Sequence, residues 1–266
     1  MFLGRGSMAV KADPGGFPQR KAAEVPTVSA IEMREIQRVA QEEYAVDILQ
    51  IMENAGRAIA LLALGMLGGR GRNQRVIVLA GGGNTGGAGL SAVRHLVNYG
   101  IDAEGLFADV ESETTSFVAR RQLQVLRAAG IMSPADESLS EYTLEETLMG
   151  ADLLIDALAG YGLEGPPHGM AAAVTELAMV VKRPILAVDV PTGMNATSGE
   201  LSPPAIRAIT TLALDLPKKG VLLPASRAAA GELYLADLGI PRAVHERLGF
   251  RLGALFSEGP LLRIRR

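Results

Sequence analysis

A chain of 266 residues, 48% of them hydrophobic, can bury the core of one large α/β domain. The absence of cysteine excludes a disulfide scaffold, a thiolate metal site and a cysteine nucleophile. A formal charge of −3 with no basic stripe points away from a nucleic-acid partner.

Residues 1–26 lack both a periodic apolar pattern and the apolar middle of a secretory signal. They read as a disordered tail, leaving 27–266 as a single domain. Ser29-Ala30-Ile31-Glu32 is a capping box, which predicts a helix from about Ala30 to Tyr44 with Ile31, Ile36, Val39 and Ala40 inward. Asp47 opens a second helix, apolar almost all round and therefore buried, that stops at Gly68-Gly69. Its polar interruptions, Glu53 and Asn54, either cap a neighbouring loop or face a site. The longest apolar run, from Ile59 to Leu67, is too short to span a bilayer, so a cytoplasmic protein without a membrane partner is expected.

Val76 to Ala80 is a buried strand, followed at once by a glycine-rich loop from Gly81 to Gly89 and a helix from Leu90 to Tyr99. Glycines can take positive φ and approach a ligand closely, and a helix N-terminus attracts anions. Further strands are predicted over 103–108, 131–132, 152–158, 185–190, 208–214 and 232–237. Helices are predicted over 114–129, with Phe117, Leu123 and Leu126 inward, and over 144–149 and 169–181. Strands alternating with helices imply a parallel sheet covered on both faces. Four loops that carry chemistry, after Ala80, Leu158, Val190 and Leu214, then meet at the carboxyl edge of that sheet, where such folds bind ligands.

Gly81-x-Gly83-x-x-Gly86 matches the dinucleotide fingerprint in spacing, with Asp109 as a ribose ligand; the plain alternative is a glycine-rich turn. Asp156 and Asp189 end apolar strands, where a carboxylate is costly unless paired, hydrogen-bonded or bound to a cation. With the Thr192 hydroxyl they suit a hard cation, and a desolvated carboxylate also suits proton transfer. His95, His168 and His245 have no metal spacing, and His95 reads as a helix-surface residue. Lys218 either faces the cleft or is solvated.

Taken in order, these segments resemble the NAD(P)HX epimerases, the YjeF N-terminal domain family. The resemblance runs from about Val28 to Pro241 and is carried by Met52-Glu53-Asn54-Ala55-Gly56-Arg57-Ala58, the stretch from Gly83 to Arg94, and Asp156-Ala157-Leu158-Ala159-Gly160-Tyr161-Gly162. Val188-Asp189-Val190-Pro191-Thr192-Gly193, Pro217-Lys218 and Asp237-Leu238-Gly239-Ile240-Pro241 complete it. It implies a three-layer α/β/α sandwich, Rossmann-like with a mostly parallel central sheet, often a homodimer. It also implies an isomerase of nicotinamide cofactor repair that interconverts the R and S hydrates of NADH and NADPH for a dehydratase. With about 25 residues after Pro241, that dehydratase is expected on a separate chain.

By the resemblance, Asn84, Thr85, Gly86, Gly87 and Ala88, together with Gly160, Tyr161, Gly162, Leu163, Glu164, Gly165 and Pro166, hold the dinucleotide. Asp189 is the acid–base and contacts the hydrated ring; Thr85, Asp156 and Thr192 bind one potassium ion per subunit; Asn54 and Lys218 are secondary site candidates. Thr85 replaces the family's asparagine and Ala88 its aspartate. A lost charged hydrogen bond is worth roughly 1.5–3 kcal/mol, or about one to two decades of affinity. That opens a second reading, a catalytically impaired nucleotide-binding or scaffold protein. A third, a hydride-transferring dehydrogenase, lacks a catalytic His or Tyr motif.

Overall fold

The computed structural model describes residues 10–69, 74–108, 114–131 and 141–266, the side chains of 141 and 142 excepted. In chain order these form β1 (Gln19–Lys21), α1 (Ala30–Glu42), α2 (Ile48–Met66), β2 (Arg75–Ala80), α3 (Asn84–Asn98), β3 (Asp102–Phe107), α4 (Phe117–Ala128) and α5 (Glu141–Met149). There follow β4 (Leu153–Ala157), α6 (Gly169–Val180), β5 (Ile185–Val188), β6 (Thr210–Leu214), α7 (Lys219–Leu222), α8 (Arg227–Ala230), β7 (Glu232–Ala236), α9 (Arg242–Arg247) and β8 (Leu261–Arg265). The strands make one sheet in the order β1-β8-β7-β6-β5-β4-β2-β3, parallel throughout except for β7 against β8.

Alternation along β2 shows how the three layers arise. Val76, Val78 and Ala80 join the core beneath α2, α3 and α4, whereas Ile77 and Leu79 join a second core with Leu148, Val174 and Ala178 of α5 and α6. Both faces are covered, so the strand is apolar at every position but the first.

Helix starts follow their caps. Ser29 accepts from the Glu32 N–H at 3.2 Å while Glu32 accepts from the Ser29 N–H at 2.6 Å, and Asp47 with Gln50 repeats the device. Inward positions of α1 are Met33, Ile36, Val39 and Ala40. Ile31, expected inside, is 75% exposed, because two residues back from Met33 is about 200° round the helix. Phe117 is also exposed, since Val118, Ala119, Leu123 and Leu126 define the buried arc of α4. Ile131 belongs to no strand; its expected partner Met132, like Asp109, lies outside the described residues. The apolar segment is longer than the run from Ile59 to Leu67. All of α2 is long and apolar enough to cross a membrane, yet half of it is buried within this fold, as in a core helix.

Two corrections bear on the site. The first is that α3 starts at Asn84, not Leu90, so the loop proper is only Gly81–Gly83. No glycine from 81 to 89 has positive φ. These glycines instead permit close approach: a Cβ on Gly86 would collide with the Gly81 carbonyl, one on Gly87 would sit 2.6 Å from Val118, and one on Gly89 2.5 Å from Ala157. The second is that residues 10–26, read as tail, are ordered. β1 pairs with β8, the Lys11 N–H reaches the Met66 carbonyl at 2.8 Å, and Asp13 accepts from Tyr234 at 2.7 Å and pairs with Arg263 at 2.6 Å. Val25 is buried in the core and Phe17 packs edge-on against Tyr234, but these apolar contacts follow no regular period, so apolar periodicity could not reveal the segment.

Candidate active site

A cavity of about 500 Å³ opens at the carboxyl ends of β2, β4, β5 and β6. The chain leaves β2 for β3 on one side and returns to β4 on the other, so the cavity sits where the topology reverses. Gly81–Thr85, Leu158–Leu163, Asp189, Leu214 and Lys218 form its floor, α1 contributes Met33, Arg34 and Gln37, and Met52 and Leu238 add apolar surface. His168, Gly169, Met170 and Ala171, at the start of α6, close it.

Two helix N-termini thus face one cavity. Neither Gly83 before α3 nor His168 before α6 gives a side-chain cap, and neither first turn contains an acid. The first N–H groups of both helices, without a side-chain cap among the described residues, and the positive ends of two helix dipoles converge there, an arrangement that favours anionic groups.

Asp189 is 1% exposed and lies at φ +70°. The Val190 N–H reaches back to the Val188 carbonyl at 2.9 Å, closing a γ-turn with Asp189 at its centre. A non-glycine residue there costs about 1–3 kcal/mol, strain that collects at functional sites. The turn aims the carboxylate into the cavity wall. Oδ1 pairs with Lys218 Nζ at 2.5 Å, and Oδ2 accepts from the Tyr161 N–H at 3.0 Å. Lys218 is itself 1% exposed, donates to the Leu214 carbonyl at 2.8 Å, and stands 5.3 Å from the centre of the Tyr161 ring. The solvated alternative for Lys218 is therefore wrong. Tyr161 donates its hydroxyl to Gln37 at 2.7 Å, and burial, with the nearby Asp189 charge, pushes that phenol up to about 12.

Asp156 is fully buried behind this group. Oδ1 accepts the Thr192 hydroxyl at 2.7 Å and Oδ2 the Thr192 N–H at 2.8 Å; Thr192 Oγ1 in turn accepts from the Ala159 N–H at 3.1 Å. No cationic side chain among the described residues pairs with Asp156, and burial pushes its carboxyl up to about 6 against the pull of the Thr192 bonds. Asp156 also accepts the Leu158 N–H at 3.3 Å, so two N–H groups and one hydroxyl hold it; its carboxylate and the Thr192 hydroxyl are hard oxygen donors of the kind a monovalent cation takes. Thr85 Oγ1 lies against Gly160, where a Cβ would strike it and stand 3.3 Å from Asp189 Oδ2.

Of the residues expected to bind substrate, Asn84, Thr85, Gly160, Tyr161, Gly162, Leu163 and Asp189 line the cavity, with Lys218. Gly86, Gly87 and Ala88 do not: they are buried in α3, and Ala88 belongs to the apolar core. Glu164, Gly165 and Pro166 are exposed outside the lining, Glu164 lying 4.0 Å from Arg34. Asn54 stands off the cavity and donates to the Leu238 carbonyl at 2.9 Å, fixing a residue that does line it. Glu53 bonds Ser91, Arg94 and His95. His95, read as a surface residue, is buried in that cluster, and burial lowers its imidazole despite Glu53. The sequence reading missed Arg34, Gln37 and the start of α6; the absent cap before Gly169 was the available signal.

A family model described as YjeF-related protein N-terminus matches residues 48–220. A protein named NAD(P)H-hydrate epimerase from Dehalogenimonas lykanthroporepellens is 38% identical over 251 residues, 93% of this chain and 96% of that protein. The bifunctional NAD(P)H-hydrate repair enzyme of Moorella thermoacetica is 33% identical over 81% of this chain, which spans 41% of the larger protein. The crystal structure of yeast ynu0 superposes with a TM-score of 0.76 at 25% identity, covering 90% of this chain and all of that one.

Proposed function

The chain belongs to the family of YjeF-related protein N-termini, and from that premise we propose that it is an NAD(P)H-hydrate epimerase, an isomerase of nicotinamide cofactor repair. The observation that carries the reading is the pair of uncapped helix starts, α3 and α6, opening on one cavity beside the buried Asp189–Lys218 pair. A dinucleotide offers two phosphates and a reactive ring. In this reading the phosphates meet the N–H groups around Asn84, Thr85 and the start of α6. The ring lies against Gly160, Tyr161, Gly162 and Leu163, with its hydrated carbon at Asp189.

Inversion at that carbon requires the hydroxyl to leave from one face and return from the other. Asp189 relays to the hydroxyl the proton held by its pair with Lys218, so that the hydroxyl departs as water, and the pair takes a proton back when water re-adds on the other face. Lys218 holds one carboxylate oxygen of Asp189 at 2.5 Å, and the Tyr161 N–H fixes the second. Thr85, Asp156 and Thr192 would hold a potassium ion, which would supply the counter-charge that Asp156 lacks. The same reading carries a homodimer in the cytoplasm, working with a dehydratase on the same metabolite; the bifunctional name of the Moorella relative supports that coupling.

A mixture of R and S hydrates with an S-specific dehydratase tests the proposal. Addition of this protein should speed consumption of the R form, and Asp189→Asn should abolish that effect; an unchanged rate refutes the epimerase reading. The impaired-scaffold reading rested on Ala88 and Thr85. Ala88 lies in the core rather than the cavity, and Thr85 keeps a hydroxyl on the cavity wall, so both features that favoured it are weakened.

A further inference from the structure

The register of β8 brings four arginines together at the edge of the sheet remote from the active site. Because β8 runs antiparallel to β7, its end, Arg263 to Arg266, lies beside the start of β7, where Gly231, Glu232 and Leu233 emerge. Arg227 of α8 completes the lining of a cavity of about 250 Å³. Two nearby carboxylates are taken by Arg263, which pairs with Asp13 at 2.6 Å and with Glu232 at 2.8 Å.

Arg266 is the anomaly. Its Nε, Nη1 and Nη2 atoms are all buried, and none has a hydrogen-bond partner among the described residues. Burial and the neighbouring Arg227 charge both push its guanidinium down from the ordinary value, against the pull of Glu232. A guanidinium carries five N–H donors in a rigid fork that matches phosphate or carboxylate oxygens, and it cannot give up its charge. Buried without a partner beside like charge, it is destabilising until an anion arrives.

We propose that this cavity is an anion site for a phosphate group, gripped by the Arg266 fork and drawn in by Arg227 and Arg265. The parallel core separates it from the active-site cavity by the length of β7, five residues or roughly 17 Å. It therefore stands independently of the epimerase reading.

Thermal unfolding in chloride and in inorganic phosphate at equal ionic strength tests it, on wild type, Arg266→Gln and Arg227→Gln. Without phosphate, Arg266→Gln should melt several degrees above wild type, because an unpartnered buried charge is gone. In phosphate, wild type should gain several degrees and Arg266→Gln less than a third of that gain, with phosphate affinity at least tenfold weaker by titration calorimetry. Phosphate bound at the glycine loop adds equally to both proteins, so the difference isolates this site. Arg227→Gln, altered at an exposed side chain, should fold normally and show an intermediate gain. Repeating the series with glycerol 3-phosphate separates a site for the free ion, with equal gains, from one for an ester, with a larger gain. A lower melting point for Arg266→Gln in chloride, or equal phosphate gains in wild type and Arg266→Gln, overturns the proposal.

Discussion

Replacing Lys218 by Met tests the centre of the active site through stability alone. The substitution keeps an unbranched apolar stem and removes the charge from a pair in which both residues are 1% exposed. Asp189 retains the Tyr161 N–H at 3.0 Å and the Leu214 N–H at 3.4 Å, but no cation. Breaking a buried pair from one side costs about 3–5 kcal/mol, whereas an exposed pair is worth 0–1 kcal/mol or so. For a chain of this size each kcal/mol is roughly 2–4 °C, so melting should fall by about 6–20 °C. Urea unfolding of Lys218→Met, Asp189→Asn and the double variant closes the cycle. Asparagine tolerates the left-handed backbone at position 189 and carries no charge that needs Lys218. The double variant should therefore lose less than the sum of the singles, with a coupling of roughly 2–3 kcal/mol. A loss below about 1 kcal/mol for Lys218→Met, or additive losses, would refute the reading of a dry, coupled pair.

Asp156 gives a pH signature with a definite sign. Its folded value, about 6, is raised above the ordinary 3.8, so its contribution to stability is complete below pH 4 and is lost as pH rises through 6. That loss is about 3 kcal/mol at ~1.36 kcal/mol per unit, and it should vanish in Asp156→Asn. At pH 8, potassium at a hundredfold its dissociation constant should restore about 2.7 kcal/mol relative to choline; no difference between the salts would count against the cation site. Gly86→Ala and Gly83→Ala separate packing from loop flexibility. The first should cost upwards of ~2 kcal/mol or prevent folding, because its Cβ meets the Gly81 carbonyl; the second, with nothing within 4 Å, should stay within about 1 kcal/mol. Equal melting points for the two would show that the glycine run is not a packing device.

The parallel sheet was legible because β2, β4, β5 and β6 are short apolar runs between loops rich in glycine and proline, and burial on both faces leaves no other composition for them. The convergence of Asp189 and Lys218 was legible only as two strand ends. That one residue would hold the other depended on the γ-turn at Asp189, and a positive φ on an aspartate leaves no trace in spacing. The glycine run was misjudged because composition suggests freedom of φ while the fold uses the absence of a Cβ. Gly86, Gly87 and Ala88 consequently drop behind the cavity, and Asn84 and Thr85 remain at its surface. His95 was misplaced because its partner, Glu53, comes from a helix 42 residues earlier. The start of α6 escaped notice because an uncapped helix is marked by what its flanking residues lack.

The three-residue strand β1 changes what can safely be cut from this protein. Gln19, Arg20 and Lys21 occupy the outer rim of β8, where Leu261-Leu262-Arg263-Ile264-Arg265 would otherwise present open amides and carbonyls beside apolar side chains. A short, charged strand is a poor template for a stranger, whereas β8 stripped of it is a good one. Trimming the chain to a start near Val28, as its featureless beginning invites, would uncover a self-adhesive border. The trimmed protein should associate with itself at concentrations where the full chain does not.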